Sequence, residues 1–209
     1  MKVLLLNGSP HTNGTTAAAL DEMRGVFEKE GVEAELLQIG TEPLRGCIGC
    51  RKCLKLSGRC TFDGDIVNEI LGKIAEADAF VIGSPVYYAS ANGAVLSVLD
   101  RVFYAGGGLF AGKVGAAVAC ARRAGTTATL DDLQKYFPIN GMPMAATQYW
   151  PMVYGMKPGD AAGDLEGLQT VRLLARNIVW MIRSFDAARK AGIEPPAPEE
   201  PRAWTHFIR

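Results

Sequence analysis

Strand-like apolar runs punctuate the chain at Val3–Leu6, Val32–Ile39, Ala79–Ile82, Val114–Cys120 and Met142–Tyr149. The first is hydrophobic at every position, which is how a strand buried on both faces of a parallel sheet reads. Between the runs, apolar residues recur at helical spacing over Ala17–Glu30, Asp65–Ala77, Ala91–Tyr104, Thr126–Phe137 and Asp164–Ala191. Leu20, Met23 and Phe27 share one face of the first of these segments. Leu165, Leu168, Val171, Leu174, Ile178, Met181 and Phe185 form a stripe along the last, which predicts a core-facing helix. Alternation of short apolar strands with helices predicts an α/β fold, a doubly wound parallel sheet of five strands joined by right-handed crossovers.

The chain has 209 residues, of which 48% are hydrophobic. That suits one domain over residues 1–194, with a Cys-rich insertion at about 45–62 and a Pro-rich tail from 195 to 209 whose linker is Pro195–Pro201. Lys plus Arg and Asp plus Glu both number 22, so nothing steers the protein to nucleic acid or to an anionic membrane. The first apolar run is too short for a signal sequence and no stretch could span a bilayer, so the expected location is cytoplasmic. The five cysteines are then expected to be reduced or metal-bound.

In a doubly wound sheet, ligands bind beyond the carboxyl ends of the strands. The first strand runs into Asn7-Gly8-Ser9-Pro10, then Asn13-Gly14-Thr15-Thr16, and then a helix. Helix N-termini present unpaired N–H groups and a positive dipole end, so hydroxyls and glycines there make a phosphate site without a cation. The loop is not GxGxxG, and no Lys precedes Thr15, which excludes a P-loop. It fits a phosphate monoester such as that of FMN, with an ordinary turn capped by Asn13 or Thr15 as the alternative.

After Ile82 comes Gly83-Ser84-Pro85-Val86-Tyr87-Tyr88-Ala89-Ser90. Pro85 lacks a donor, which leaves the N–H groups of Val86 and Tyr87 to reach a ring carbonyl or nitrogen, and Tyr87 and Tyr88 offer faces for stacking. Ser90 with Asn92 or Gly93 could equally cap the next helix. After Cys120 comes Ala121-Arg122-Arg123-Ala124-Gly125-Thr126, whose arginines either solvate the loop or attract a pyridine-nucleotide phosphate.

Cys47, Cys50 and Cys53 follow one another at two-residue gaps, and Cys60 lies nearby. That is the ligand pattern of a cubane 4Fe–4S cluster, whereas zinc sites more often use two separated knuckles. Arg51, Lys52, Lys55 and Arg59 would offset an anionic cluster or lower the thiol pKa values. The alternative is a reduced, cluster-free insertion packed at a subunit interface. Cys120, at the end of an apolar run, reads as a core residue.

Together, Asn7-Gly8-Ser9-Pro10 with Asn13-Gly14-Thr15-Thr16, Ser84-Pro85-Val86-Tyr87-Tyr88 with Leu99-Asp100-Arg101, Gln148-Tyr149-Trp150 and the closing Thr205-His206-Phe207-Ile208-Arg209 resemble the NAD(P)H-dependent FMN reductase family of flavodoxin-like flavoproteins. The resemblance implies a three-layer flavodoxin-like fold with strand order 2-1-3-4-5. It implies that Ser9, His11, Asn13, Gly14, Thr15 and Thr16 hold the FMN phosphate. It also implies that Pro85, Val86, Tyr87 and Tyr88, with Ser90 and the loop from Ala121 through Arg122 to Gly125, line the isoalloxazine. His11 stands where the family often has Arg, and the third loop is poorer in Gly than usual. The Cys segment resembles that of the iron-sulfur flavoproteins, which would make Cys47, Cys50, Cys53 and Cys60 cluster ligands.

The leading expectation is an enzyme that passes hydride from NAD(P)H to FMN and on to an acceptor, either a small molecule or a protein. No side-chain acid or base is required, because the cofactor carries the chemistry. The other expectations are an electron relay between FMN, a cluster and a protein partner, and a non-catalytic thiol redox sensor. Pro151, Gly155 and Pro158 end the fifth strand early, so Trp150–Met156 is expected to be a loop exposing Trp150, Met152, Tyr154 and Met156. Exposed aromatic and Met residues suggest an interface. The expected assembly is a homodimer or higher homo-oligomer in which this loop, or the Trp204–Arg209 tail, approaches the partner's flavin.

Overall fold

The computed structural model describes residues 1–196, 200–201 and 203–207. Part of the Pro195–Pro201 linker, together with Ile208 and Arg209 of the tail motif, therefore lies outside the described residues. The elements run β1 (Lys2–Asn7), α1 (Thr15–Lys29), β2 (Glu33–Gln38), α2 (Val67–Glu76), β3 (Ala79–Tyr87), β4 (Ser90–Ala91), α3 (Gly93–Gly106), β5 (Val114–Ala121), α4 (Thr126–Gln134), α5 (Tyr136–Ile139), β6 (Met152–Tyr154) and α6 (Leu165–Lys190). The parallel path is β2-β1-β3-β5-β6, which is the expected 2-1-3-4-5 order once the two-residue β4 is set aside. β4 is a sixth strand that the sequence did not announce, antiparallel to the end of β3.

The pleat of each strand divides its residues between two cores. Leu4, Leu6, Phe80 and Ile82 pack against α2, α3 and α5 through Ile70, Val95, Phe103 and Phe137. Val3, Leu5, Val81 and Val118 pack against α1 and α6 through Leu20, Phe27, Val171 and Ile178. The α6 stripe is therefore a core face, except at Leu165, the first helical residue, which is exposed. Asp164 caps α6 by accepting from the Gly167 N–H at 2.9 Å, and Arg189 and Lys190 sit at the negative end of its dipole.

Two elements depart from expectation. The helix foreseen over Thr126–Phe137 is broken at Lys135 into α4 and α5. The last strand is displaced, because Met142–Tyr149 makes only a single bridge, Met144 to Gly115, and the strand proper is Met152–Tyr154. The reason lies on α6. Asn177 Nδ2 donates to the Ala146 carbonyl at 2.7 Å and Thr147 Oγ1 donates to the Thr170 carbonyl at 2.9 Å, which draws residues 146–150 off β5 and onto α6. Pairing resumes where the Ala119 N–H donates to the Pro151 carbonyl at 3.0 Å. A proline at the start of an edge strand gives up only a donor. Consequently Met152 and Tyr154 are half-buried strand residues, while Trp150 and Met156 are exposed as expected. The detour leaves a cavity of about 460 Å³ along the middle of β5, between Ala116, Phe137, Trp150 and Leu174. Among the described residues, no helix is long and apolar enough to cross a membrane.

Candidate functional site

The β1–α1 loop is pinned by its own polar residues. Asn7 is fully buried; its Oδ1 accepts from the Ser9 N–H at 3.0 Å and its Nδ2 donates to the His11 carbonyl at 3.2 Å and to Gln38 Oε1 at 2.7 Å. Gln38 in turn donates to the Ser9 carbonyl, so the last residue of β2 braces the turn. Ser9 Oγ accepts from the His11 N–H at 3.1 Å. Ser9 and Thr16 are buried, Gly14 and Thr15 half-buried, and His11 and Asn13 exposed. Gly14 is the N-cap of α1 and no side chain caps it, so the first-turn N–H groups face outward with the positive end of the dipole. Gly8 must be glycine here, because a Cβ would stand 2.7 Å from the Gly83 carbonyl oxygen and 2.8 Å from Val95 Cγ2.

The second loop is more ordered than expected. Pro85 and Val86 continue β3, and Val86 and Tyr87 pair with Ala91 and Ser90 in a hairpin. The residues whose N–H groups were expected to reach a ring thus lie on a paired hairpin rather than in an open loop. The hairpin tip is Tyr88-Ala89, with φ of 51° and 58°, although neither residue is Gly or Asn. Left-handed backbone at such residues costs roughly 1–3 kcal/mol each and gathers at ligand sites. Tyr88 is fully exposed and Tyr87 largely so. Ser90 Oγ donates to the Asp132 carboxylate, which also accepts from the Ala91 N–H at 3.2 Å. The bond from Ser90 holds the Asp132 carboxyl below the usual carboxylate range. The Ser90 hydroxyl is thus committed to the frame of the hairpin.

The third loop meets the second at Gly125. Its φ is 92°, and a Cβ there would lie 2.7 Å from both Ala89 Cα and Val86 Cγ1. Ala121 is buried, whereas Arg122 and Arg123 point into solvent. A fourth loop, at Gly155 in the stretch expected to be a loop, closes on the first rather than on a partner, since a Cβ on Gly155 would stand 2.7 Å from Thr15 Oγ1. Asn92 joins the first two loops, with Nδ2 donating to the Gly8 carbonyl at 2.8 Å and Oδ1 accepting from the Ala94 N–H at 3.0 Å. The four loops therefore converge at the carboxyl edge of the sheet. The residues and chemistry fit a phosphate monoester carrying a flat ring: an uncapped helix start with buried hydroxyls, beside exposed tyrosines on a rigid turn. Gln38, Asn92, Asp132 and Gly155 are supporting residues that sequence reasoning missed or read only as a cap. Asn92 had left a signal as a helix cap and Gly155 as a strand-ender, whereas Gln38 and Asp132 were not singled out.

The Cys segment forms a loop over α3 with a short 3₁₀ turn at Lys52–Lys55. Cys47 and Cys50 are exposed, Cys53 half-buried and Cys60 buried. All four thiols line one small cavity with Phe62 and Arg101. Gly49 and Arg51 hold positive φ of 63° and 56°, which winds the loop around it. The Gly49 N–H donates to Cys47 Sγ at 3.5 Å. Burial, and then the neighbouring Cys50, Cys60 and Cys47, push the Cys53 thiol up. Among the described residues, no three Cys, His, Asp or Glu gather closely enough to hold a single metal ion. Four cysteines around one cavity are the donor set of a cubane rather than of a two-knuckle zinc site, and at about 20 Å³ the cavity has room for about one water, so the exposed loop at Cys47–Cys50 would have to open to admit a cluster. Cys120 is a buried core residue, as expected, with its thiol pushed up to about 12 by burial.

The fold and the site define a flavodoxin-like flavoprotein. The chain belongs to the NADPH-dependent FMN reductase family, whose model matches residues 1–156. It is similar to an iron-sulfur flavoprotein of Methanocaldococcus jannaschii, 32% identical over 191 residues that cover 88% of this chain and 98% of the relative. Among solved structures it resembles RosB with a bound formylated riboflavin phosphate, at TM-score 0.67 and 18% identity over 100% of this chain and 91% of that one. It also resembles an archaeal flavodoxin, at TM-score 0.57 and 17% identity over 88% and 99% of the two chains. Family membership makes the chain an FMN-dependent NAD(P)H oxidoreductase.

Proposed function

We propose that this chain is an iron-sulfur flavoprotein, an NAD(P)H oxidoreductase that passes electrons from FMN through a 4Fe–4S cluster to a protein acceptor. Bound FMN would supply hydride and single-electron chemistry between the nicotinamide and the next acceptor. Ser9, Thr15 and Thr16, with the first N–H groups of α1, would bind its phosphate, and the loop around His11, Asn13 and Gly14 would close over it. Pro85, Val86, Tyr87 and Tyr88, on the turn braced by Ser90 and Asp132, would orient the ring. Ala121 and Gly125 would form the floor behind them, and Arg122 would meet the nicotinamide dinucleotide's phosphates. Cys47, Cys50, Cys53 and Cys60 would hold the cluster. The observation that carries this reading is the single cavity lined by all four thiols, and the name of the Methanocaldococcus relative agrees with it.

Two further points complete the proposal. Tyr149 and Trp150 are exposed beside one another, with ring centroids 4.9 Å apart, which supports a homodimer through this face. The balanced charge and reduced cysteines suit the cytoplasm. The test is anaerobic reconstitution with iron and sulfide. The reading expects four irons and four labile sulfides per chain, lost in Cys53→Ser with FMN retained. A chain that takes up no iron overturns the cluster and leaves a simple FMN reductase.

A further inference from the structure

Arg101 lies in α3 beneath the Cys segment and is only 1% exposed. A buried guanidinium is costly unless its donors are used. Its Nη1 pairs with the Asp65 carboxylate and donates to the Arg45 carbonyl at 3.4 Å. Its Nη2 donates to the Phe62 carbonyl at 3.1 Å and to Asp65 Oδ1 at 3.2 Å. Arg45 and Phe62 flank the four cysteines, so one side chain ties the chain entering the Cys loop to the chain leaving it. Yet Nε, which is buried, has no hydrogen-bond partner among the described residues. Arg101 lines the same small cavity as Cys47, Cys50, Cys53 and Cys60, and Cys60 is among the groups that raise its pKa.

A clamp between Arg45, Asp65 and Phe62 needs only the two terminal nitrogens. It does not account for a buried Nε donor left without a partner on a residue that lines the four-cysteine cavity. We propose that Arg101 is the positioning residue for the cluster in this cavity, donating its Nε–H to the Cys60 sulfur and setting the cluster's reduction potential with its charge. The inference rests on the cluster reading above. Hydrogen bonds to the sulfurs and nearby charge are the levers that set such potentials. Four thiolates already make the site anionic, and each added electron makes it more so. A fixed cation at the Cys60 side therefore favours the reduced form and raises the potential. Asp65 occupies the terminal fork of the guanidinium and leaves Nε directed elsewhere, so it offsets this effect only in part.

The test compares full-length wild type, Arg101→Lys and Arg101→Gln after anaerobic reconstitution. Iron, labile sulfide and FMN are counted in each, and the cluster potential is measured by a dithionite titration followed by electron paramagnetic resonance. Arg101→Gln is expected to lower the potential by about tenfold in the one-electron equilibrium constant, 59 mV. Arg101→Lys keeps the charge but not the Nε donor and should fall between the two. If Arg101→Gln does not fold, the shift in Arg101→Lys decides. Clusters of wild-type potential in the folded variants overturn the role of Arg101 while leaving the cluster in place. A wild type without iron overturns the cluster reading itself, and Arg101's role with it.

Discussion

The Asn92 amide donates to the Gly8 carbonyl at 2.8 Å, and so joins the N-terminus of α3 to the loop that opens α1. The same side chain caps α3, and the Asn92 N–H donates to Ser84 Oγ at 3.0 Å. One buried residue thus fixes the distance between the phosphate loop and the hairpin. Asn92→Ala should cost about 2–3 kcal/mol of stability, from the lost cap and the unpaired Gly8 carbonyl. Urea unfolding of the apoprotein checks this, and FMN affinity should fall in parallel.

Thr16 is 2% exposed at the start of α1. Its hydroxyl, if it donates to a phosphate dianion, contributes roughly 1.5–3 kcal/mol. Thr16→Val should therefore weaken FMN binding by about 10- to 150-fold with the melting temperature of the apoprotein little changed. Fluorescence titration of apoprotein with FMN measures it, and an unchanged dissociation constant would mean the hydroxyl does not face the ligand.

Gly125→Ala puts a methyl group 2.7 Å from Ala89 Cα at a φ of 92°. Left-handed strain and overpacking together should destabilise the chain by about 2–4 kcal/mol. Because the methyl group presses on the Tyr88-Ala89 turn, FMN affinity should fall as well. A calorimetric scan with and without FMN separates the two effects.

Cys120 offers a pH test. Burial raises its thiol from the usual 9.0 to about 12. Between those values the unfolded chain releases a proton that the folded chain retains, so this residue's contribution is intact below about pH 9 and is lost progressively as pH rises above it. Cys120→Ala should flatten the alkaline limb of the stability profile between about pH 9 and 12. In the cluster-free apoprotein at pH 8, iodoacetamide should label the exposed Cys47 and Cys50 and spare Cys120, and cluster loading should protect Cys47 and Cys50.

The parallel sheet was legible because it is buried on both faces: Val3–Leu6 and Val114–Cys120 are apolar at nearly every position, whereas the strand order came only with the family resemblance. The loop after β1 was legible because its chemistry is contiguous. The last strand was not, since Asn177 and Thr170, far along α6, decide where residues 146–150 go. Nor was the turn at Tyr88-Ala89, which carries no Gly or Asn signal and is held by Asp132, 42 residues away. Arg101 stood in a recognised motif, but its partners Arg45, Phe62 and Asp65 are 36 to 56 residues distant, and only the fold brings them together.

The most direct measurement is cofactor identity with anaerobic bleaching. The chain is purified without oxygen, its bound flavin is released and compared with FMN and FAD, and the holoprotein is mixed with NADPH or NADH. The account predicts one FMN per chain and loss of its visible absorption on adding a reduced pyridine nucleotide. Recovery of FAD, or a bound FMN that neither nucleotide bleaches, would contradict it.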